Sequence, residues 1–256
     1  TITDAFRVLK DTTPPAYLNG EAGGDLTWRK AGRNYNVDFN DAASQLAGAK
    51  YAARTGPNYT GALKIASTTI AGVAGASYAA DWAVDFNALE DEATNYISIE
   101  VYDLAANTST ITDAFFVKKD TTPPTVSDYV TGDAVWRKDP GTVYNVDFGE
   151  KGILEAAQYS IRSEPGQAGL LRKDWTYINS SPINAPAYTA DWPVDFSALA
   201  EGQTTNYISV RAWDAAGSTS APVDVFYIQK DVTLPAITDN QFGADSWKSS
   251  SGTVYN

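Results

Sequence analysis

TNYISVRAWDAA, at Thr205–Ala216, decides how this chain folds. Ile208, Val210 and Ala212 fall on one side, in a row led by Asn206, while Tyr207, Ser209 and Arg211 fall on the other. Strict alternation over this length, with β-branched and aromatic members, is the pattern of a half-buried β-strand. The stretch has a twin, TNYISIEVYDLA at Thr94–Ala105. Moving outward, ITDAFRVLKDTTPP at Ile2–Pro15 returns as ITDAFFVKKDTTPP at Ile111–Pro124, and again as VDVFYIQKDVTLP at Val223–Pro235. YNVDF at Tyr35 returns at Tyr144, and YAADWAVDFNAL from Tyr78 returns as YTADWPVDFSAL from Tyr188.

The offset between twins is 109 to 111 residues. That is longer than a solenoid period of about 20–50 residues. It matches a whole small domain of about 100–150 residues. The expected organisation is therefore modular. Residues 1–10 read as the last strand of a preceding repeat, 11–120 as repeat 1, 121–230 as repeat 2, and 231–256 as the start of a third. A pattern that opens and closes inside a repeat is expected of a segment of a longer array.

Within repeat 2, alternating runs are expected at Thr142–Phe148, Ala156–Ser163, Leu170–Ile178, Tyr188–Phe196, Asn206–Trp213 and Val223–Gln229, with a short opening strand near Val126. Clusters of Gly, Pro, Asn, Asp and Ser separate them, and no segment of useful length carries a helical period. About seven strands in about 110 residues fit an all-β, antiparallel two-sheet sandwich. A five-stranded barrel is the lesser alternative. Pro193 lacks the N–H of a central ladder, so its strand is expected at an edge or bulge.

The turn after the penultimate strand is Asp103-Leu-Ala-Ala-Asn107 in repeat 1 and Asp214-Ala-Ala-Gly-Ser218 in repeat 2. It is followed by a last hydrophobic strand and a D-x-x-x-P joint at Asp11–Pro15, Asp120–Pro124 and Asp231–Pro235. In this rhythm the chain resembles the bacterial immunoglobulin-like tandem repeats of large extracellular surface and adhesin-type proteins. That resemblance implies tandem immunoglobulin-like sandwiches used as stalks, spacers or adhesive surfaces. One departure is visible: Tyr207 and Tyr96 fall on the outward face, so they do not supply the tyrosine corner of many such sandwiches. Either Asn206 takes that place by bonding backbone, or a bulge corrects the register.

Composition narrows the function. The formal charge is −12, which disfavours nucleic acid and anionic lipid as partners. No apolar run approaches the roughly 20 residues of a membrane helix. Histidine and cysteine are absent, which removes a Ser–His–Asp triad, a thiolate nucleophile and a zinc site of ordinary ligands. A carboxylate pair is the remaining catalytic option. Asp147 and Asp195, with Asp38 and Asp85 in repeat 1, would lie close on neighbouring strands, but a flat sheet face offers no cleft, and the duplication fits structure better than catalysis. No enzyme activity is expected.

Of the 31 acidic residues 23 are Asp, a residue of turns and oxygen-rich ion sites. In an immunoglobulin-like sandwich the incoming linker shares one end with the loops after the second and sixth strands. That end holds Asp11, Asp41 and Asp103 in repeat 1, and Asp120, Glu150 and Asp214 in repeat 2. Each triad could bind calcium, or each acid could simply cap its own turn. The Pro-rich joints are short, which favours semi-rigid spacing. Trp28, Trp136 and Trp247 recur at matched positions, as do Trp82 and Trp192, and are expected to pack in cores or joints. Trp175 and Trp213 have no Trp counterpart, standing against Ser67 and Tyr102, and are the candidates for ligand binding.

The leading expectation is thus a spacer array, extracellular and at the cell surface, forming a stiff stalk, filament or surface-layer element. Its partners would be adjacent repeats and other copies of the chain. The alternative is an adhesin or carbohydrate-binding array using exposed aromatics. An accessory region of a secreted glycosidase is a third reading.

Overall fold

The computed structural model describes residues 3, 5–130, 132–179, 182–202, 204–240 and 247. The chain is all-β. Ten strands precede residue 120: β1 Ala16–Asn19, β2 Asp25–Arg29, β3 Asn34–Tyr35, β4 Val37–Asn40, β5 Leu46–Arg54, β6 Leu63–Ile70, β7 Ser77–Tyr78, β8 Trp82–Ala83, β9 Ala93–Asp103 and β10 Thr108–Lys119. Ten follow: β11 Thr125–Asp128, β12 Asp133–Arg137, β13 Val143–Tyr144, β14 Val146–Arg162, β15 Leu171–Tyr177, β16 Ala185–Tyr188, β17 Trp192–Pro193, β18 Thr205–Asp214, β19 Thr219–Ser220 and β20 Phe226–Lys230.

In repeat 1 a sheet of order β1-β4-β7 faces a sheet of order β2-β10-β9-β5-β6, with β3-β8 as a short ladder between. Val37 and Phe39 from one sheet meet Tyr51, Ile97, Ile99, Phe115 and Val117 from the other in one core. In repeat 2 the corresponding core gathers Val146, Phe148, Tyr159, Ile161, Ile208, Val210, Phe226 and Ile228. Here β14 runs unbroken for 17 residues. It therefore joins strands that belong to two sheets in repeat 1, giving the order β11-β14-β18-β20-β12 with β15 and β16 also on β14.

The penultimate strand is as the alternation requires: Ile208, Val210 and Ala212 are fully buried. Asn206 shares their row and is equally buried. Its amide nitrogen donates to the carbonyls of Ala200 (3.1 Å) and Ile228 (3.2 Å), and its oxygen accepts from Ala200 N–H at 2.8 Å. Asn95 holds Glu90 in the same way. Asparagine thus ties down the corner, and a buried polar side chain is tolerated because it is fully bonded.

Three expectations are corrected. First, the last strand has a parallel neighbour as well as an antiparallel one, since β2 pairs with β10 and β12 with β20 in parallel. Asp25 and Asp133 open β2 and β12 and are buried, held by Arg29 and Arg137, so an inward charge hides the alternation. Second, the run from Tyr188 to Phe196 is no single strand. Tyr188 ends β16 opposite Phe148, Trp192–Pro193 forms a separate short ladder with Val143↔Pro193 and Tyr144↔Trp192, and a 3₁₀ turn follows at Phe196–Ala198. Third, Trp136 is 47% exposed and Trp247 is fully exposed, while Trp82 and Trp192 are buried.

Residues 5–10 are exposed and outside any strand, as are 231–240. Residues 241–246 and 248–256, most of the expected third repeat, lie outside the described residues. Among the described residues no helix is long and apolar enough to cross a membrane.

Candidate metal centre at the joint

Each joint begins with a backbone bond. The N–H of Asp120 donates to the carbonyl of Arg29 at 2.9 Å, extending the β10–β2 ladder by one residue. Asp231 repeats this with Arg137 at 3.0 Å. The next residues are held by an acid from the loop before the penultimate strand. Asp91 accepts from Thr121 N–H at 2.8 Å and from the hydroxyls of Thr121 and Thr122. Glu201 accepts from Val232 N–H at 3.1 Å at the following joint. Across the first joint, Lys30 Nζ donates to the Gly217 carbonyl at 2.8 Å, and Lys151 pairs with Glu92 at 3.1 Å.

The side chain of Asp120 points the other way, into repeat 2. Asp120, Glu150 and Asp214 bring one carboxylate oxygen each to within 4.8 Å of one another, and all three are buried. Asp11, Asp41 and Asp103 do the same in repeat 1, where Asp11 is half-buried. Both sequence-derived triads therefore converge. Asp120 arrives on the linker, Glu150 from mid-β14, and Asp214 from the end of β18.

The two triads differ in how their oxygens are satisfied. In repeat 1, Asp41 accepts from the N–H groups of Ala43, Ser44 and Gln45. Asp11 accepts from those of Thr13 and Ser44, and Asp103 from both nitrogens of Asn107. The Thr13 N–H, with help from Ser44, holds the Asp11 carboxyl below its usual range. In repeat 2, Asp214 Oδ1 accepts from the N–H groups of Ala216 and Ser218, and Glu150 accepts from that of Gly152. Asp120 Oδ2 and Asp214 Oδ2 have no partner at all, although Asp120 is 1% and Asp214 0% exposed. Burial first, then the charges of Glu150 and Asp214, push the Asp120 carboxyl up to about 6.

Two dry, unpaired carboxylate oxygens in a like-charged group are costly unless a cation joins them. The donors are all oxygen, which suits a hard cation; calcium takes six to eight such ligands at about 2.3–2.6 Å. Gly152 is shaped to the site: a Cβ there would stand 2.7 Å from Asp120 Oδ2.

Of each expected aspartate pair, one member caps a 3₁₀ turn and the other lies on a strand. Asp195 sits at the N-terminus of the 3₁₀ turn, accepting from Ser197 N–H and Oγ–H, and pairs with Lys173 at 2.6 Å. Lys173, then Ser197, lower its carboxyl to about 2. Asp147 lies on β14 opposite Ser127 of β11. Asp85 caps the equivalent turn in repeat 1, and Asp38 lies on β4 opposite Leu18.

Trp175 and Trp213 come together on the outward face of β15 and β18. Both are half-buried, linked by a residue that the sequence did not single out. Arg211 places its guanidinium 4.4 Å from the Trp175 ring centre and 5.9 Å from that of Trp213.

No family model and no curated protein matches the sequence. Among solved structures, the chain is similar to fibronectin(III)-like modules of Clostridium thermocellum CbhA, with 15% identity, 89% of this chain and 100% of that one covered, and a TM-score of 0.30. It is also similar to the sialic acid binding region of a Streptococcus sanguinis adhesin, with 13% identity, 86% and 78% coverage, and a TM-score of 0.26. At such values the sandwich assignment rests on the strand pairing described above.

Proposed function

We propose that this chain belongs to an extracellular spacer array at a bacterial surface, built from sandwich repeats at 11–120 and 121–230, with 1–10 as the end of a preceding repeat and 231–256 as the start of a third. Its work is mechanical: to extend and to hold spacing, as a stalk, filament or surface-layer element, without catalysis. The observation that carries this reading is the double engagement of Asp120, whose N–H is bonded into the last ladder of repeat 1 and whose carboxylate enters the triad of repeat 2. A linker fixed at both ends cannot swivel freely. The Asp91 clamp, the Lys30 and Lys151 contacts and the following Pro-Pro pair act in the same direction.

A calcium ion at Asp120, Glu150 and Asp214 completes the joint, supplying the missing partner of the two unpaired oxygens. Asp11, Asp41 and Asp103 form the equivalent, weaker position, because backbone N–H groups and the Asn107 side-chain amide already bond their carboxylates. Lateral partners are other copies of the chain, meeting at open edges such as β6 and β15.

Calcium titration of the full chain by calorimetry tests this function. One tighter and one weaker event are expected, with the tighter one abolished by D214N and kept by D103N. No heat, or equal loss from the two variants, would remove the cation from the joint.

A further inference from the structure

The two repeats share core and corner but differ on one outward sheet face. The register makes the comparison direct, because Lys50↔Glu100 in repeat 1 corresponds to Gln158↔Arg211 in repeat 2. At this face Ser67, Thr69, Glu100 and Tyr102 of repeat 1 are replaced by Trp175, Tyr177, Arg211 and Trp213. In repeat 1 the place is a shallow hollow of about 160 Å³ lined in part by Lys50, Ser67, Glu100 and Thr110. In repeat 2 it is an aromatic platform. The Tyr177 and Trp213 ring centres lie 5.9 Å apart, and Tyr177 is 54% exposed.

Arg211 sits in the middle of this platform. Its Nε donates to Gln158 Oε1 at 2.8 Å, and that bond fixes the guanidinium against the indoles. Among the described residues Arg211 makes no ion pair, and its two terminal nitrogens donate to no protein group. A guanidinium has five N–H donors in a planar fork that matches a carboxylate. Here the fork is held beside two indole rings by the bond to Gln158, and its terminal nitrogens carry no protein partner among the described residues. That arrangement is distinctive in a chain of charge −12, where acids are plentiful.

We propose that this face of repeat 2 binds a saccharide residue that carries a carboxylate. The acid group would seat on the terminal nitrogens of Arg211, and the sugar ring would lie along Trp175, Trp213 or Tyr177. Rigid aromatic area with a few placed polar groups is the general composition of small-ligand sites. The net negative charge repels a long polyanion. The site therefore fits a single acidic residue, terminal or isolated on a neutral chain. This activity goes beyond spacing and assigns to one repeat what its neighbour lacks.

The test is calorimetric titration of the full chain with two acidic probes, a glucuronic-acid-terminated disaccharide and sialyllactose, against lactose and cellobiose as neutral controls. At least one acidic probe should bind at least tenfold more tightly than either neutral sugar, and which one binds separates uronic from sialic acid sources. R211Q should cost that preference, and R211K should restore the charge but not the full affinity, since a lysine lacks the fork. The double variant W175S/R211E installs the residues that repeat 1 already folds with, so it should melt as the parent does and bind neither acid. If neither acidic probe binds, or if acidic and neutral sugars bind alike, the proposal fails. It fails equally if W175S/R211E binds as well as the parent.

Discussion

The backbone N–H of Asp120 donates to the carbonyl of Arg29 at 2.9 Å, which makes the first residue of the linker the last rung of the preceding repeat. From that rung the carboxylate of the same residue reaches Glu150 and Asp214 in the next repeat. One residue thus contacts both sandwiches, beside the Lys30–Gly217 and Lys151–Glu92 contacts.

The clamp on the residues that follow should be separable from the fold. Asp91→Ala removes the acceptor for Thr121 N–H and for two hydroxyls. Asp91 is half-buried and its partners Thr121 and Thr122 are exposed, so the cost to repeat stability should be about 1 kcal/mol. The joint should loosen nonetheless. Residual dipolar couplings of the two repeats would show independent alignment in D91A and shared alignment in the parent.

The Asp120 carboxyl makes stability depend on pH in a definite direction. Its folded pKa, about 6, lies above the unfolded value of 3.8. The native state therefore holds the proton more tightly, and the contribution is fully present below 3.8 and lost as pH rises through about 6. In the absence of calcium, repeat 2 should thus gain stability as pH falls from 7 toward 5. Calcium should reverse the trend, stabilising most above pH 6 where the carboxylates are charged. Urea melts at pH 5 and pH 7, each with chelator and with calcium, measure both signs.

Removing the corner asparagine should be costly. Asn206→Ala leaves the Ala200 N–H, the Ala200 carbonyl and the buried Ile228 carbonyl without their side-chain partner. A loss of about 2–4 kcal/mol is expected from these groups together. Chemical denaturation of N206A checks it, and N95A should show a similar loss in repeat 1.

Gly152→Ala places a methyl 2.7 Å from Asp120 Oδ2. The side chain of Asp120 would have to turn away. Calcium affinity at the tighter position should fall by about tenfold or more while the weaker position is unchanged, as read by calorimetry.

Much of this was legible in the residues. The inward row Asn206, Ile208, Val210 and Ala212 follows from period-two alternation alone, and it is the row that the structure buries. Both acidic triads converge at one end of a sandwich, although Glu150 comes from within the continuous strand β14 and not from the loop that the sequence suggests. Other features were hidden by local competition. VDF at Val146–Phe148 is strand, but VDF at Val194–Phe196 is not, because Asp195 can accept the N–H of Ser197 and start a turn instead. The parallel strands β2 and β12 escaped notice because each opens with an inward-facing aspartate paired to arginine. Arg211 was invisible in one dimension, since only the register of β14, β15 and β18 sets it between Trp175 and Trp213.

The direct measurement is small-angle X-ray scattering of the full chain with calcium, with chelator, and as the D120N variant. A joint fixed through Asp120 should give one extended shape with calcium, and a broader, shorter distance distribution after chelation and in D120N. Identical profiles in all three conditions would show that the repeats take their spacing from something other than this residue.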